Sequence, residues 1–200
     1  LINPQTGEVH KANPGEGVFF RRDTWHHAIN YSNEPLRVLE YFSPPPSQGT
    51  SGSYARKQEY LEESAYGQDE LIGKWPMTAA DARSKQTMQV IREEDILWRL
   101  EPGERPVLVG LYVTTEHLTS GRITILPGNR SSLRKHGGDT TFYMLRGTAN
   151  IHVPENEGTK WFELNEMDGF HVPEGFGYEI HNISGNTAEL YFGTAPSYFA

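Results

Sequence analysis

This sequence predicts an all-β protein built as a sandwich or closed barrel, and three observations carry the reading. Between residues 87 and 195, short apolar segments are broken about every eight to twelve residues by turn sequences such as EPGE, LPGN, HGGD, PENEG, MDG, PEG and SGN. The composition agrees: 20 glycines, 13 prolines, 9 phenylalanines and 10 tyrosines in 200 residues describe a turn-rich β chain. The third observation is an internal repeat. Moving DGFHVPEGFGYEIHN, residues 168–182, back by 152 positions sets Gly169 on Gly17, Phe170 on Val18, Val172 on Phe20, Tyr178 on His26 and Asn182 on Asn30 without a gap. Closing a sheet removes vulnerable edges, so a jelly-roll barrel is the preferred arrangement.

Taken in order, residues 1–17 read as a strand end, a turn at NPQTGE, a short strand around Val9 and His10, and a turn at NPGEG. Gly17–Arg21 reads as a strand, DTW as a corner and His26–Ser32 as another strand, while Leu36–Ser43 alternates like a sheet strand after Asn-Glu-Pro. PPPSQGTSGS, residues 44–53, is stiff and then flexible, the clearest linker in the chain. Tyr54–Tyr66 and Pro76–Lys85 are short helix candidates, expected as a crossover on the outside of the sheets. Further strands are expected at Met88–Arg92, Ile96–Arg99, Pro106–Tyr112, Arg122–Leu126, Ser132–His136, Thr141–Leu145, Thr148–Val153, Lys160–Glu163, Phe170–Val172, Tyr178–Ile183 and Ala188–Phe192. The expected organisation is residues 1–43 as the C-terminal part of one β unit, 44–86 as linker and short helices, and 87–200 as a complete second unit.

A net charge of −8 and a pI near 5.5 speak against nucleic acid or an anionic membrane as partner, because no basic stripe exists to neutralise phosphates. The absence of cysteine excludes disulfides, thiolate nucleophiles and thiolate metal sites, which leaves His, Asp, Glu and Tyr as metal ligands. No apolar run is long enough to span a bilayer as a helix, so a soluble, cytoplasmic protein is the expectation. The chain opens on Leu1, which leaves its true N-terminus and any signal peptide open.

LPGNRSSLRKHGGDTTFYMLRG, residues 126–147, resembles the first motif of the cupins, with Gly128, His136 and Gly147 in register. DGFHVPEGFGYEIHN resembles their second motif through Gly169, Pro173, Gly175 and Asn182. The resemblance implies a bicupin: a complete double-stranded β-helix barrel over 87–200 and the C-terminal half of another over 1–43. The first motif of that first barrel would precede Leu1, so a missing segment or a partner chain is expected to complete it. A homodimer is a further expectation from the family.

In metal-binding cupins, imidazoles and a carboxylate converge inside the barrel. The corresponding positions of the second barrel read Arg134, His136, Thr140 and Tyr178. An arginine at about 4 Å from a dication is repelled by roughly 8 kcal/mol at an effective dielectric of 20. This barrel is therefore expected to be metal-free, and Arg134, His136, Tyr143 and Tyr178 to form a carboxylate pocket or a set of satisfied hydrogen-bonding residues. In the first barrel His26 falls on the metal-ligand position of the second motif, followed by Asn30. The resemblance thus implies a metalloenzyme, a non-haem Fe(II) dioxygenase acting on a small aromatic or carboxylate substrate. In that reading His26 is a metal ligand, His136 and Tyr178 are catalytic candidates, and Arg134 and Tyr143 bind substrate. The competing expectation is a metal-free ligand-binding or structural cupin using the Arg134 and Tyr178 pocket; a third is a metal-independent sugar isomerase or epimerase with His136 as base.

Overall fold

The computed structural model describes residues 1–21, 24–43, 62–102 and 105–199. The chain divides into two compact units, one from Leu1–Leu39 with Gly49–Asp95, the other from Glu40–Gln48 with Ile96–Ala200.

In the first unit, β1 (Ile2–Asn3) and β2 (Glu8–Val9) form an antiparallel hairpin across the NPQTGE turn, where Gly7 adopts a φ of +72°. The strand β3 (Gly17–Phe20) pairs antiparallel with β4 (Met88–Ile91), Gly17 opposite Ile91. The segment 88–91, which the sequence groups with the second barrel, thus hydrogen-bonds within the first unit. Glu8 ties the hairpin to the head of β4. Its buried carboxylate accepts from Thr87 N at 2.8 Å, Thr87 Oγ1 at 2.7 Å, Met88 N at 3.1 Å and His10 Nε2 at 2.6 Å. Burial alone pushes the Glu8 pKa up, but these donors outweigh it and hold the group below its ordinary value.

Two strands expected before residue 44 do not form. His26–Ser32 contributes only an isolated bridge between His27 and Ile2, and Leu36–Ser43 is irregular. A strand is stable only with a ladder to complete and a face to bury. Neither is met here, since Leu36, Val38 and Phe42 are all more than half exposed. Of the helix expected at Tyr54–Tyr66, residues 54–61 lie outside the described ones and 62–66 are not helical. The second helix candidate is realised as α1 (Ala79–Ser84), short and closed by an exposed Lys85–Asp81 pair at 2.8 Å.

The second unit is a jelly roll. A six-stranded antiparallel sheet carries, in spatial order, β11 (Gly169–Val172), β8 (Gly137–Arg146), β13 (Ala188–Ser197), β7 (Thr119–Ile125), β6 (Val107–Thr114) and β5 (Leu97–Glu101). A three-stranded sheet carries β10 (Trp161–Leu164), β9 (Ala149–His152) and β12 (Glu179–His181). Two antiparallel sheets in this strand order make a jelly roll of the double-stranded β-helix kind. The segment Ser132–His136, expected as a full strand, is held instead by a single bridge, Arg134 to Tyr178. The strict alternation of β7, whose residues run buried and half-buried in turn, shows how the core is written into the sequence. Ile123, Ile125, Phe142, Met144, Ile151, Ile180, Leu190 and Phe192 fill it.

Two glycines shape the outer face of the six-stranded sheet. A Cβ on Gly110 would stand 2.8 Å from the Trp98 ring, and one on Gly193 would stand 2.4 Å from the ring of Tyr41. The segment around Tyr41 therefore lies over a gap left by Gly193, and Ser43 Oγ donates to the His117 carbonyl at 2.5 Å. Burial pushes the Tyr41 phenol up to about 12. Among the described residues no helix is long and apolar enough to cross a membrane.

Candidate functional site

Inside the barrel, where the end of β13 meets the start of β8, the structure gathers Glu101, Arg134, His136, Tyr178 and Tyr198, all buried. Tyr178 enters because alternation along 178–182 turns Tyr178, Ile180 and Asn182 inward and leaves Glu179 and His181 outside. Arg134 faces it through two backbone hydrogen bonds of 2.8 and 2.9 Å.

The proton on His136 is fixed by its partners. A carbonyl can only accept, so Nδ1 carries the hydrogen and donates it to the Tyr198 carbonyl. Nε2 then accepts from the Tyr178 hydroxyl at 2.7 Å. Burial depresses the His136 pKa, and Arg134 adds to that effect. Burial likewise raises the Tyr178 phenol well above its ordinary range. Tyr198 is raised by burial and by donating to Glu101 Oε1 at 2.5 Å. The other carboxylate oxygen of Glu101 stands 2.6 Å from Arg134 Nη2, an ion pair. Yet Nε, Nη1 and Nη2 of Arg134 meet no acceptor in hydrogen-bond geometry.

This interior does not fit a divalent metal. Arg134 brings a fixed positive charge, both nitrogens of His136 are engaged, Tyr178 is held protonated, and Thr140 bonds to Thr194 at 3.0 Å. Of the residues grouped by sequence, Arg134, His136 and Tyr178 do come together. Tyr143 does not: on β8 it alternates with the buried Phe142 and Met144 and stands on the opposite face.

His26 lies in the first unit, exposed, stacked on Phe20 at 4.2 Å, with Nδ1 donating to the Thr24 carbonyl at 2.9 Å. No trio of metal-ligating side chains among the described residues includes it. The trio that exists is His152, Glu179 and His181, whose donor atoms all lie within 4.8 Å of one another.

That trio sits on the outer face of the three-stranded sheet. Trp161, His152 and Glu179 occupy one row across β10, β9 and β12, and His181 lies two residues further along β12. His152 Nδ1 donates to Glu179 Oε2 at 3.1 Å, and His181 Nε2 stands 3.6 Å from the same oxygen. The indole of Trp161 covers His152 at 4.2 Å, 14° from parallel. The His152 hydrogen bond, offset in part by burial and aided by His181 and Arg130, holds the Glu179 pKa below its ordinary value.

Sequence reasoning passed over this row and over Glu101 and Tyr198. The signal for the row was the period-two pattern itself: the core positions Ile151 and Ile180 put His152, Glu179 and His181 on a common outer face once β9 and β12 are paired. For Glu101 and Tyr198 no local pattern exists, since they are separated by nearly the whole barrel in sequence.

No protein-family model and no curated protein matches the chain. Solved structures similar to it include a predicted oxalate decarboxylase from Thermotoga maritima, 19% identical over 54% of this chain and 98% of that one, with a TM-score of 0.47. An RmlC-like cupin family protein from Methanocaldococcus jannaschii is 18% identical over 50% of this chain and 89% of its own, at 0.41. The polyketide cyclase RemF from Streptomyces resistomycificus is 13% identical over 53% of this chain and 78% of its own, at 0.46.

Proposed function

We propose that the complete barrel is a metal-free ligand-binding cupin that receives a small carboxylate at Arg134. The observation that carries this reading is a buried guanidinium whose N–H groups meet no acceptor in hydrogen-bond geometry. Buried donors are ordinarily satisfied, and a carboxylate is the acceptor whose two oxygens match the guanidinium fork. Glu101 already neutralises the charge, so the ligand gains directional hydrogen bonds more than net attraction. The Tyr178 hydroxyl gives its proton to His136, so its oxygen is left to accept from a donor at the ligand's second polar end, and Tyr198, whose ring lies 4.6 Å from that of His136, covers the site.

The test is a thermal-shift screen of small mono- and dicarboxylates on the full chain, followed by calorimetry on any that stabilise it. A carboxylate that binds the wild type and not Arg134→Met/Glu101→Leu supports the reading. Failure of every carboxylate, or unchanged affinity in that double variant, overturns it.

A second reading, an iron-dependent bicupin dioxygenase, draws on His26. With Nδ1 spent on the Thr24 carbonyl, Nε2 keeps its lone pair directed away, the arrangement of a ligating imidazole. In that reading its remaining ligands would belong to the same first barrel. Iron content and O₂ uptake of a longer chain should then be lost in His26→Ala; unchanged values dismiss the dioxygenase.

A further inference from the structure

We propose that His152, Glu179 and His181 form a transition-metal site on the outer face of the three-stranded sheet, outside the barrel interior. The donor set is two imidazoles and one carboxylate, the combination that suits Zn(II) and its neighbours in a chain without thiolates. Bonds of about 2.0–2.1 Å to a tetrahedral ion place neighbouring ligand atoms about 3.3 Å apart. Glu179 Oε2 already stands 3.1 Å from His152 Nδ1 and 3.6 Å from His181 Nε2. The carboxylate oxygen is thus close to ligand spacing from each imidazole before any ion arrives, and the two imidazole nitrogens, within 4.8 Å of each other, close on the ion when it binds.

Three features distinguish the row from a hydrogen-bonded surface pair. The three side chains are only 15–21% exposed, so ordered backbone and not mobile surface holds them. His181 Nε2 and the neighbouring Asn150 Nδ2 are buried without a hydrogen-bond partner. The Trp161 indole packs face-on against His152 at 4.2 Å and edge-on to His181 at 4.8 Å, a wall that limits solvent on one side.

A metal here takes His152 as the neutral imidazole protonated on Nε2, the Nδ1 proton moving there by exchange through solvent, and the carboxylate oxygen shared by both imidazoles is the third ligand. Three protein ligands leave one tetrahedral position open. His181 also lines a cavity of about 360 Å³ with Arg105, Asn129 and Arg130 on its wall. The two arginines supply positive charge for an anionic group in the open position.

The test uses the full, tag-free chain stripped with chelator. Zn(II) added alone should bind at one ion per chain by calorimetry, and Co(II) should give the visible absorption of a low-coordinate N/O site. Co(II) or Ni(II) should also quench Trp161 emission, a signal lost in Trp161→Phe while binding persists. His152→Gln and His181→Gln should each weaken Zn(II) at least tenfold with unchanged circular dichroism, whereas His26→Ala and His136→Gln should not. Absent stoichiometric binding, unchanged affinity in the His152 and His181 variants, or loss of binding in His26→Ala overturns the site.

Discussion

Replacing Glu101 by leucine probes the network that fills the barrel interior. The side chains of Arg134 and Glu101 are 6% and 11% exposed, so the change removes the 2.6 Å ion-pair partner of a buried guanidinium. Breaking a buried pair from one side costs about 3–5 kcal/mol. The Tyr198 hydroxyl loses its 2.5 Å acceptor at the same time, adding about 1 kcal/mol. The sum, roughly 4–6 kcal/mol, corresponds to a fall in Tm of about 8–24 °C for a chain of this length. Adding Arg134→Met removes the stranded charge, and the double variant should return to within about 2 kcal/mol of the wild type. Urea and thermal unfolding of the wild type, both single variants and the double close the cycle. A Glu101→Leu loss below about 1 kcal/mol, or a double variant no better than the sum of the singles, refutes the network as described.

Three further outcomes are expected. His136 is depressed by burial, so its stabilising contribution is complete above its ordinary pKa of about 6.5 and declines as pH falls toward the folded value. Tm of the wild type should drop across that window more than Tm of His136→Gln; parallel curves would contradict a buried neutral imidazole. Glu8→Gln should destabilise the first unit by about 1.5–3 kcal/mol at neutral pH, and the difference from the wild type should shrink as pH falls below about 4.3 through the folded pKa. Equal stability at pH 7 would show that the four donors to Glu8 are dispensable. Gly193→Ala should cost about 1–3 kcal/mol by displacing the Tyr41 ring, and most of that cost should vanish in a Tyr41→Ala background; persistence of the full cost would place the strain elsewhere.

Much of the barrel was legible because its strands obey a period of two and its turns announce themselves. Ten of the strands expected after residue 87 appear with shifted ends, as alternating segments such as Arg122–Leu126 would lead one to expect. His26–Ser32 and Leu36–Ser43 alternate equally well and form no ladder, because alternation states which face wants burial and not whether a partner exists to provide it. The interior trio Arg134, His136 and Tyr178 could be read from motif spacing. Glu101 and Tyr198, which set their protonation and charge balance, could not, because that pairing is a property of closure. Tyr143 was misplaced by one position of alternation, the smallest error that reverses a side chain.

The pairing of β3 with β4 has a consequence for how the chain matures. Gly17–Phe20 is made before its hydrogen-bonding partner, Met88–Ile91, which follows the whole proline- and glycine-rich linker. During synthesis the four residues wait as an open edge carrying Val18, Phe19 and Phe20, and the loop that must close before they pair is long enough to make closure an entropic barrier. The ribosome thus releases an adhesive strand well ahead of its match.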